Sequence, residues 1–354
     1  MSAPLRVLFA GTPATAVPVL RALLASDHEV VGVLTRPDAP VGRKRVLTPS
    51  PVAAAAAEAG LPAVKADRLR GEAGAEAVAS IRGLDADVAV VVAYGALVPA
   101  DALRIPRLGW LNLHFSHLPA YRGAAPVQRA VMDGVAVTGA DVFQLEEGLD
   151  TGPVFARLTR EVAPDETSGD LLADLAERGG PLVLDVLDAL ADGTAVAAPQ
   201  EGEPTHAAKL TAADGLVDAG APAGRVAARI NGVTPEPGAW GWLAARADAE
   251  PVRFKLGGVA PVAEDDAAWP AELAPLAPGR IAVVAKGAWL RTDGGAVRLS
   301  TVQPAGKTTM PALDWARGAG EGATLLSGAA LAAHGEREQQ RAAERAAARQ
   351  EGRA

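Results

Sequence analysis

A chain of 354 residues exceeds one typical domain, so its length predicts two, and with 49% hydrophobic residues it can bury a sizeable core. Cysteine is absent, which excludes disulfides, thiolate zinc sites and a cysteine nucleophile. A formal net charge of −8 argues against a protein that coats nucleic acid generally, while leaving room for a local basic patch.

The opening Met1-Ser2-Ala3-Pro4-Leu5-Arg6 has no signal-peptide hydrophobic region. No apolar run approaches the ~20 residues needed to span a bilayer. The expectation is a soluble cytoplasmic protein with no membrane partner. Residues 5–9 read as a buried first strand ending in Ala10-Gly11-Thr12-Pro13, with a helix over 15–25. A dinucleotide-binding start fails on spacing, because Gly11 is the only glycine where the fingerprint needs three. Residues 30–35 form the second strand. A loop over 36–45 follows, before a helix that opens near Pro51. Within that loop Arg43-Lys44-Arg45 beside Gly42 reads either as a mobile phosphate-binding arm or as a solvated charged loop. The near-continuous apolar run over 87–94 has the pattern of a central parallel strand buried on both faces, closed by Tyr94-Gly95.

The next strand organises the chain. In Leu111-Asn112-Leu113-His114-Phe115-Ser116 the side chains alternate, so Asn112, His114 and Ser116 share one face. Left buried and unpaired, each would cost roughly 1–3 kcal/mol, so they need partners or a cleft. Ligands of open α/β sheets bind at the carboxyl ends of strands, where Asn112 and His114 stand. A turn at Ser116-His117-Leu118-Pro119 leads to a helix over 124–132. A strand over 140–145 then delivers Asp150 in the loop Glu147-Gly148-Leu149-Asp150-Thr151-Gly152-Pro153. A histidine in an apolar strand and an aspartate in a glycine-rich loop are each ordinary structural features. Together with Asn112 they are also the group set for acyl transfer without a covalent intermediate. No His/Asp cluster has metal-ligand spacing, so no metal is expected. A helical pattern over 167–190 closes the first domain. Alternating strands and helices up to that point predict a doubly wound, parallel-rich, Rossmann-like α/β domain over 1–190. Residues 191–205 read as a linker, 206–317 as a smaller β-rich domain, and 318–354 as a charged tail, disordered or helical.

Asn112-Leu113-His114, the Ser116–Pro119 turn, Arg122-Gly123-Ala124-Ala125-Pro126 and Leu149-Asp150-Thr151-Gly152 resemble the active-site signature of the folate-dependent formyltransferases. Ala10-Gly11-Thr12-Pro13 and Gln303-Pro304-Ala305-Gly306-Lys307 are similar to the branch of that family acting on methionyl-tRNA, and the resemblance spans roughly residues 4 to 317. It implies a formyltransferase domain followed by an OB-like β-barrel that helps hold tRNA. The implied reaction passes the formyl group of 10-formyltetrahydrofolate to the α-amine of methionyl-initiator-tRNA by direct displacement through a tetrahedral intermediate. Asn112, His114 and Asp150 are the implied catalytic residues. Ser116, His117, Leu118 and Pro119, with Val92 and Tyr94, are implied to shape the folate pocket. Arg43, Lys44, Arg45 and Lys209 are implied to meet the tRNA, with the enzyme a monomer. The chain departs from the family pattern at Lys44, where a glycine is usual, at His117, where leucine is usual, and at Ala219, where an aromatic is common. A formyltransferase acting on a ribonucleotide amine or a nucleotide-sugar would share the catalytic triplet but lack the 42–45 loop and the 303–307 word. A non-enzymatic tRNA-binding module would not need the triplet.

Overall fold

The computed structural model describes residues 3–42, 44–246, 248–319 and 322–351. The chain divides into two compact units. The first comprises Met1–Ala130, Val137–Glu161 and Asp170–Lys209, the second Val131–Ala136, Val162–Gly169 and Leu210–Ala354.

In the first unit, runs rich in Val, Leu and Ala form β1 (Arg6–Gly11), β2 (Glu29–Thr35), β3 (Ala39–Val41), β4 (Val46–Thr48), β5 (Ala63–Lys65), β6 (Val88–Val92), β7 (Trp110–His114), β8 (Arg122–Gly123), β9 (Val137–Gln144), β10 (Val154–Glu161) and β11 (His206–Ala207). Seven of them make one sheet in the order β10-β9-β7-β6-β1-β2-β5. The β7-β6-β1-β2-β5 part is parallel, while β9 pairs antiparallel with both β7 and β10. Helices α1 (Val17–Leu24), α2 (Pro51–Glu58), α3 (Gly71–Gly83), α4 (Ala100–Leu103), α5 (Pro126–Asp133) and α6 (Ser168–Asp192) connect or follow the strands. All five residues of β6 are buried, as the unbroken apolar run requires of a strand covered on both faces. Behind β7, α6 approaches so closely that a Cβ on Gly179 would lie 2.4 Å from Leu113 Cδ2. Any side chain there would force the Leu113 side chain to move.

The sequence-based elements need three adjustments. The 36–45 stretch is not all loop: β3 and β4 pair antiparallel as a hairpin whose tip turns at Gly42, φ +70°. Helix α5 starts at Pro126 rather than at residue 124, because the Ala124 and Ala125 N–H groups donate to Ala207 O instead. The strands β5 and β10 and helix α3 carry weak patterns that the sequence reading passes over; β10 alternates half-buried and exposed residues at the sheet edge.

The second unit contains α7 (Ala223–Gly232) and strands β12 (Ala239–Ala244), β13 (Val252–Leu256), β14 (Val259–Ala263), β15 (Ile281–Val284), β16 (Gly287–Thr292), β17 (Gly295–Leu299), β18 (Thr301–Gln303), β19 (Met310–Pro311) and β20 (Thr324–Leu325), with α8 (Ala312–Ala319) and α9 (Gly328–Glu351). Two antiparallel sheets, β19-β18-β13-β12-β20 and β14-β17-β16-β15, join at both ends. At one end Gly257 N–H donates to Thr301 O and Ser300 N–H to Gly258 O; at the other Ile281 N–H donates to Ala323 O. The ladder therefore closes as a barrel, which removes exposed edges. Val226, Ile230, Phe254, Leu290, Val297 and Val302 fill its interior. The tail is helical over α9, with Leu331 and His334 buried; residues 320, 321 and 352–354 lie outside the described ones.

Candidate active site

Strand β7 places Asn112 and His114 on one face near its carboxyl end, flanked by β6 (Asn112 opposite Val91) and β9 (His114 opposite Asp141). Asn112 is half-buried, and its side-chain amide has no hydrogen-bond partner among the described residues. It is free to donate to something else. His114 is 5% exposed and lies edge-on to Phe143 at 6.2 Å between ring centroids. Its Nε2 is 2.9 Å from the Tyr121 carbonyl, which can only accept, so Nε2 carries the proton and Nδ1 is the basic nitrogen. That Nδ1 faces Asp150 Oδ2 at 3.8 Å. Burial pushes the imidazole below its ordinary value, opposed by the Asp150 carboxylate and the Tyr121 carbonyl. The neutral base form is therefore the resting form near pH 7.

Asp150 is also buried, at 8% exposure, and stands in the left-handed region at φ +50°. Its Oδ2 accepts from Gly123 N–H at 2.8 Å. Gly123 has φ +124°, and a Cβ there would meet Ala207 O at 2.8 Å, so glycine is required where β8 runs beside β11. Asp150's backbone carbonyl accepts from Gln200 Nε2 at 2.8 Å, and so does that of Gly152. Asn112 and His114, two residues apart on β7, and Asp150 from the loop after β9 thus come to one end of one sheet. Four groups that hold them are missed by sequence reasoning: the Tyr121 carbonyl, Gln200, Asp141 and Arg157. Only Asp141 leaves a signal, as a lone acid in an otherwise apolar strand.

The turn after β7 is held from beneath. Asp141 is fully buried and paired to Arg157 through Nε at 2.8 Å and Nη2 at 2.7 Å, while its Oδ2 accepts from Leu118 N–H at 2.8 Å. Arg157 Nη2 also donates to Leu118 O at 2.8 Å, and the hydrogen bond to Asp141 raises the guanidinium's value further. Ser116 Oγ donates to Ala120 O at 2.6 Å, so its hydroxyl is committed to the turn. The His117 ring is half-buried and reaches the Leu158 carbonyl of β10 at 3.0 Å. Leu118 and Pro119 are buried, joined by a cis peptide. Val92 is fully buried at the end of β6. Tyr94 is buried too, its hydroxyl donating to Ala66 O at 2.9 Å and pushed up to about 12 by burial. Both can bound a ligand through backbone rather than through a free polar side chain.

The basic residues stand elsewhere. Lys44 and Arg45 are exposed on the β3–β4 hairpin, whose Val41, Val46 and Leu47 are likewise exposed. Arg43 lies outside the described residues. Lys209 is exposed at the end of the first unit. A cavity of about 760 Å³ beside β5 and α3, lined by Lys65, Arg68, Glu76 and Ser80 among others, shares no residue with the His114 site. No group of three or more His, Cys, Asp or Glu that could hold a metal ion is found among the described residues. Nor, among them, is any helix long and apolar enough to cross a membrane.

Comparison with known proteins gives a consistent result. Residues 5–187 match the family described as formyl transferase, and residues 209–320 match the formyl transferase C-terminal domain. The chain is 53% identical over 321 residues to a methionyl-tRNA formyltransferase of Leifsonia xyli subsp. xyli, covering 91% of this chain and all of that one. It is 53% identical over 325 residues to the methionyl-tRNA formyltransferase of Acidothermus cellulolyticus, covering 89% and 97%. Among solved structures, HypX from Aquifex aeolicus in complex with tetrahydrofolic acid is similar in fold, with a TM-score of 0.59 at 16% identity over 88% of this chain and 46% of that one.

Proposed function

The chain belongs to the methionyl-tRNA formyltransferase family, and on that premise we propose that Asn112, His114 and Asp150 carry formyl transfer from 10-formyltetrahydrofolate to the α-amine of methionyl-initiator-tRNA. The observation that carries the assignment is the orientation of His114, with Nε2 bonded to Tyr121 O and Nδ1 turned to Asp150.

The attacking amine must be neutral, and it sheds a proton as the carbon–nitrogen bond forms. His114 Nδ1, neutral and desolvated, accepts that proton, a role worth about 10²–10⁴-fold in rate. Asp150, 3.8 Å away, steadies the imidazolium while it lasts. As the formyl carbonyl becomes tetrahedral its oxygen gains negative charge, and the unpartnered Asn112 amide donates to it. Loss of one such donor typically costs about 10²–10³-fold. The folate nitrogen then leaves with a proton delivered from the same imidazolium, so no net charge is left at the site. The turn over Ser116, His117, Leu118 and Pro119, with the backbone around Val92 and Tyr94, bounds the folate pocket in this reading.

Arg43, with the exposed Lys44 and Arg45 and with Lys209, meets tRNA phosphates, and the barrel of the second unit adds further contact. In this reading the enzyme works in the cytoplasm as a monomer. The test is formyl transfer from 10-formyltetrahydrofolate to methionyl-initiator-tRNA, to the same tRNA without methionine, and to free methionine. Transfer to the first alone is expected. Equal rates on free methionine would contradict the reading.

A further inference from the structure

The groups that set the distance between His114 and Asp150 do not come from the two residues themselves. They come from Tyr121-Arg122-Gly123 and from one side chain in the 193–209 stretch. The Tyr121 carbonyl fixes His114 Nε2 at 2.9 Å, and two residues on the Gly123 N–H fixes Asp150 Oδ2 at 2.8 Å. Between them Arg122 reaches Gln200 Oε1, through Nη2 at 2.5 Å and Nε at 3.2 Å. Gln200 in turn donates through Nε2 to the carbonyls of Asp150 and Gly152, both at 2.8 Å. All the hydrogen-bonding capacity needed to tie three segments together is thus met by one amide, half-buried, whose two ends cannot be exchanged: Oε1 faces a cation and Nε2 faces two carbonyls. Asp150 needs this help, because a non-glycine residue at φ +50° persists only where its surroundings hold it. The peptide groups on either side of the clamp are also occupied. Tyr121 N–H donates to Thr205 Oγ1 at 2.8 Å and Arg122 N–H to Thr205 O at 2.8 Å, and β8 pairs with β11.

We propose that Gln200 is a positioning residue for formyl transfer, which sets the reach of the Asp150 carboxylate to His114 by clamping the 150–152 loop to Arg122. The proposal rests on the roles given above to His114 and Asp150. It adds that the 193–209 stretch belongs to the catalytic apparatus, although it touches no reacting atom. Gln200 has no path to the imidazole except through Asp150 and Arg122, so its removal should act on the chemical step and not on substrate affinity. With the loop released, Asp150 raises the basicity of His114 less, and the acidic limb of activity moves to lower pH.

The experiment compares wild type with Gln200→Glu and Gln200→Ala, each also in an Asp150→Asn background. Single-turnover formylation of methionyl-tRNA is followed from pH 5 to 9, with thermal melts alongside. Gln200→Glu keeps the shape and the Arg122 contact but loses both donors to the loop carbonyls, so it remains informative even where Gln200→Ala folds poorly. The expected result is a fall of about 10–100-fold in kcat for both variants, with KM for each substrate within about twofold and the acidic limb displaced downward. In the Asp150→Asn background the same changes should cost less than about twofold, because the group they act through is gone. Wild-type kcat in Gln200→Glu would overturn the proposal. So would fully multiplicative losses in the double variants, or losses that track melting temperature with an unmoved limb. If Asp150→Asn and His114→Ala themselves turn over like wild type, the underlying catalytic reading fails instead, and the two failures are distinguishable.

Discussion

At His114 the charged and polar groups are turned inward: the imidazole is 5% exposed and Asp150 8%, with hydrogen bonds to Tyr121 and Gly123 that fix both. On the β3–β4 hairpin the charges point out, Lys44 and Arg45 stand exposed, and the apolar Val41, Val46 and Leu47 are 56–66% exposed beside them. The first region works by geometry in a low dielectric, where a small displacement matters and salt hardly does. The second offers charge in a high dielectric, where strength depends on counterions and the position of any one side chain matters little. One protein therefore carries two kinds of electrostatics, and each fails in a different way.

The largest effect should come from breaking the inward site. Asn112→Ala, His114→Ala and Asp150→Ala should each lower kcat by two or more orders of magnitude, with the melting curve little changed for the half-buried Asn112 and lowered by about 1–3 kcal/mol of stability for the buried His114 and Asp150. Wild-type-like turnover at saturating substrates in any of the three removes that residue from the mechanism. The outward site is challenged by replacing Arg43, Lys44 and Arg45 together with alanine. If all three neutralise phosphates, the salt slope of tRNA affinity falls by about 2.7, so the loss of affinity over a fourfold rise in salt shrinks by about 40-fold. Folate affinity should stay as it was. Superimposable salt plots for wild type and variant would make the hairpin a solvated surface and nothing more.

A third variant separates geometry from charge within the first unit. Arg157→Ala strands the fully buried Asp141 carboxylate under the Leu118 turn. Since the guanidinium is itself 45% exposed, the expected cost is about 2 kcal/mol in urea unfolding and not the larger figure of a closed pair. An unshifted urea midpoint would show that the pair does not hold the turn. The smallest effect is on pH. Burial lowers the His114 value, so the group needed as a base stays neutral until the pH falls below the ordinary ~6.5. Corrected for the neutral fraction of the methionyl amine, which itself titrates near ~7.7–8.0, activity should be flat above that value and fall below it, and Asp150→Asn should move the limb further to acid because the carboxylate opposes burial. The same sign holds for stability: the unfolded histidine takes up its proton near ~6.5 while the folded one resists, so its contribution is full above that pH and is lost below it. A limb at or above the ordinary value would mean that another group titrates.

The sequence by itself determined the layers and singled out the Asn112, His114 and Asp150 candidates. The unbroken apolar run of β6 can only be a strand covered on both faces, and the period-two pattern of β7 puts Asn112 and His114 on one side. The β-rich character of 206–317 was legible because the period-two alternation of short strands is local. The tertiary structure decided what holds those groups. Tyr121 acts through a carbonyl, which every residue has, so its role leaves no mark; Gly123 shows in the sequence as a glycine, but the contact of its N–H with Asp150 does not. Gln200 sits in an Ala- and Pro-rich stretch that reads as connection, and its partners lie 78 and 50 positions away. Arg157 looks like one more surface cation on an edge strand until β10 folds against β9 and brings it to Asp141. Side-chain periodicity is a local property and survives in the sequence, whereas a hydrogen bond between distant segments exists only once the sheet has brought its ends together.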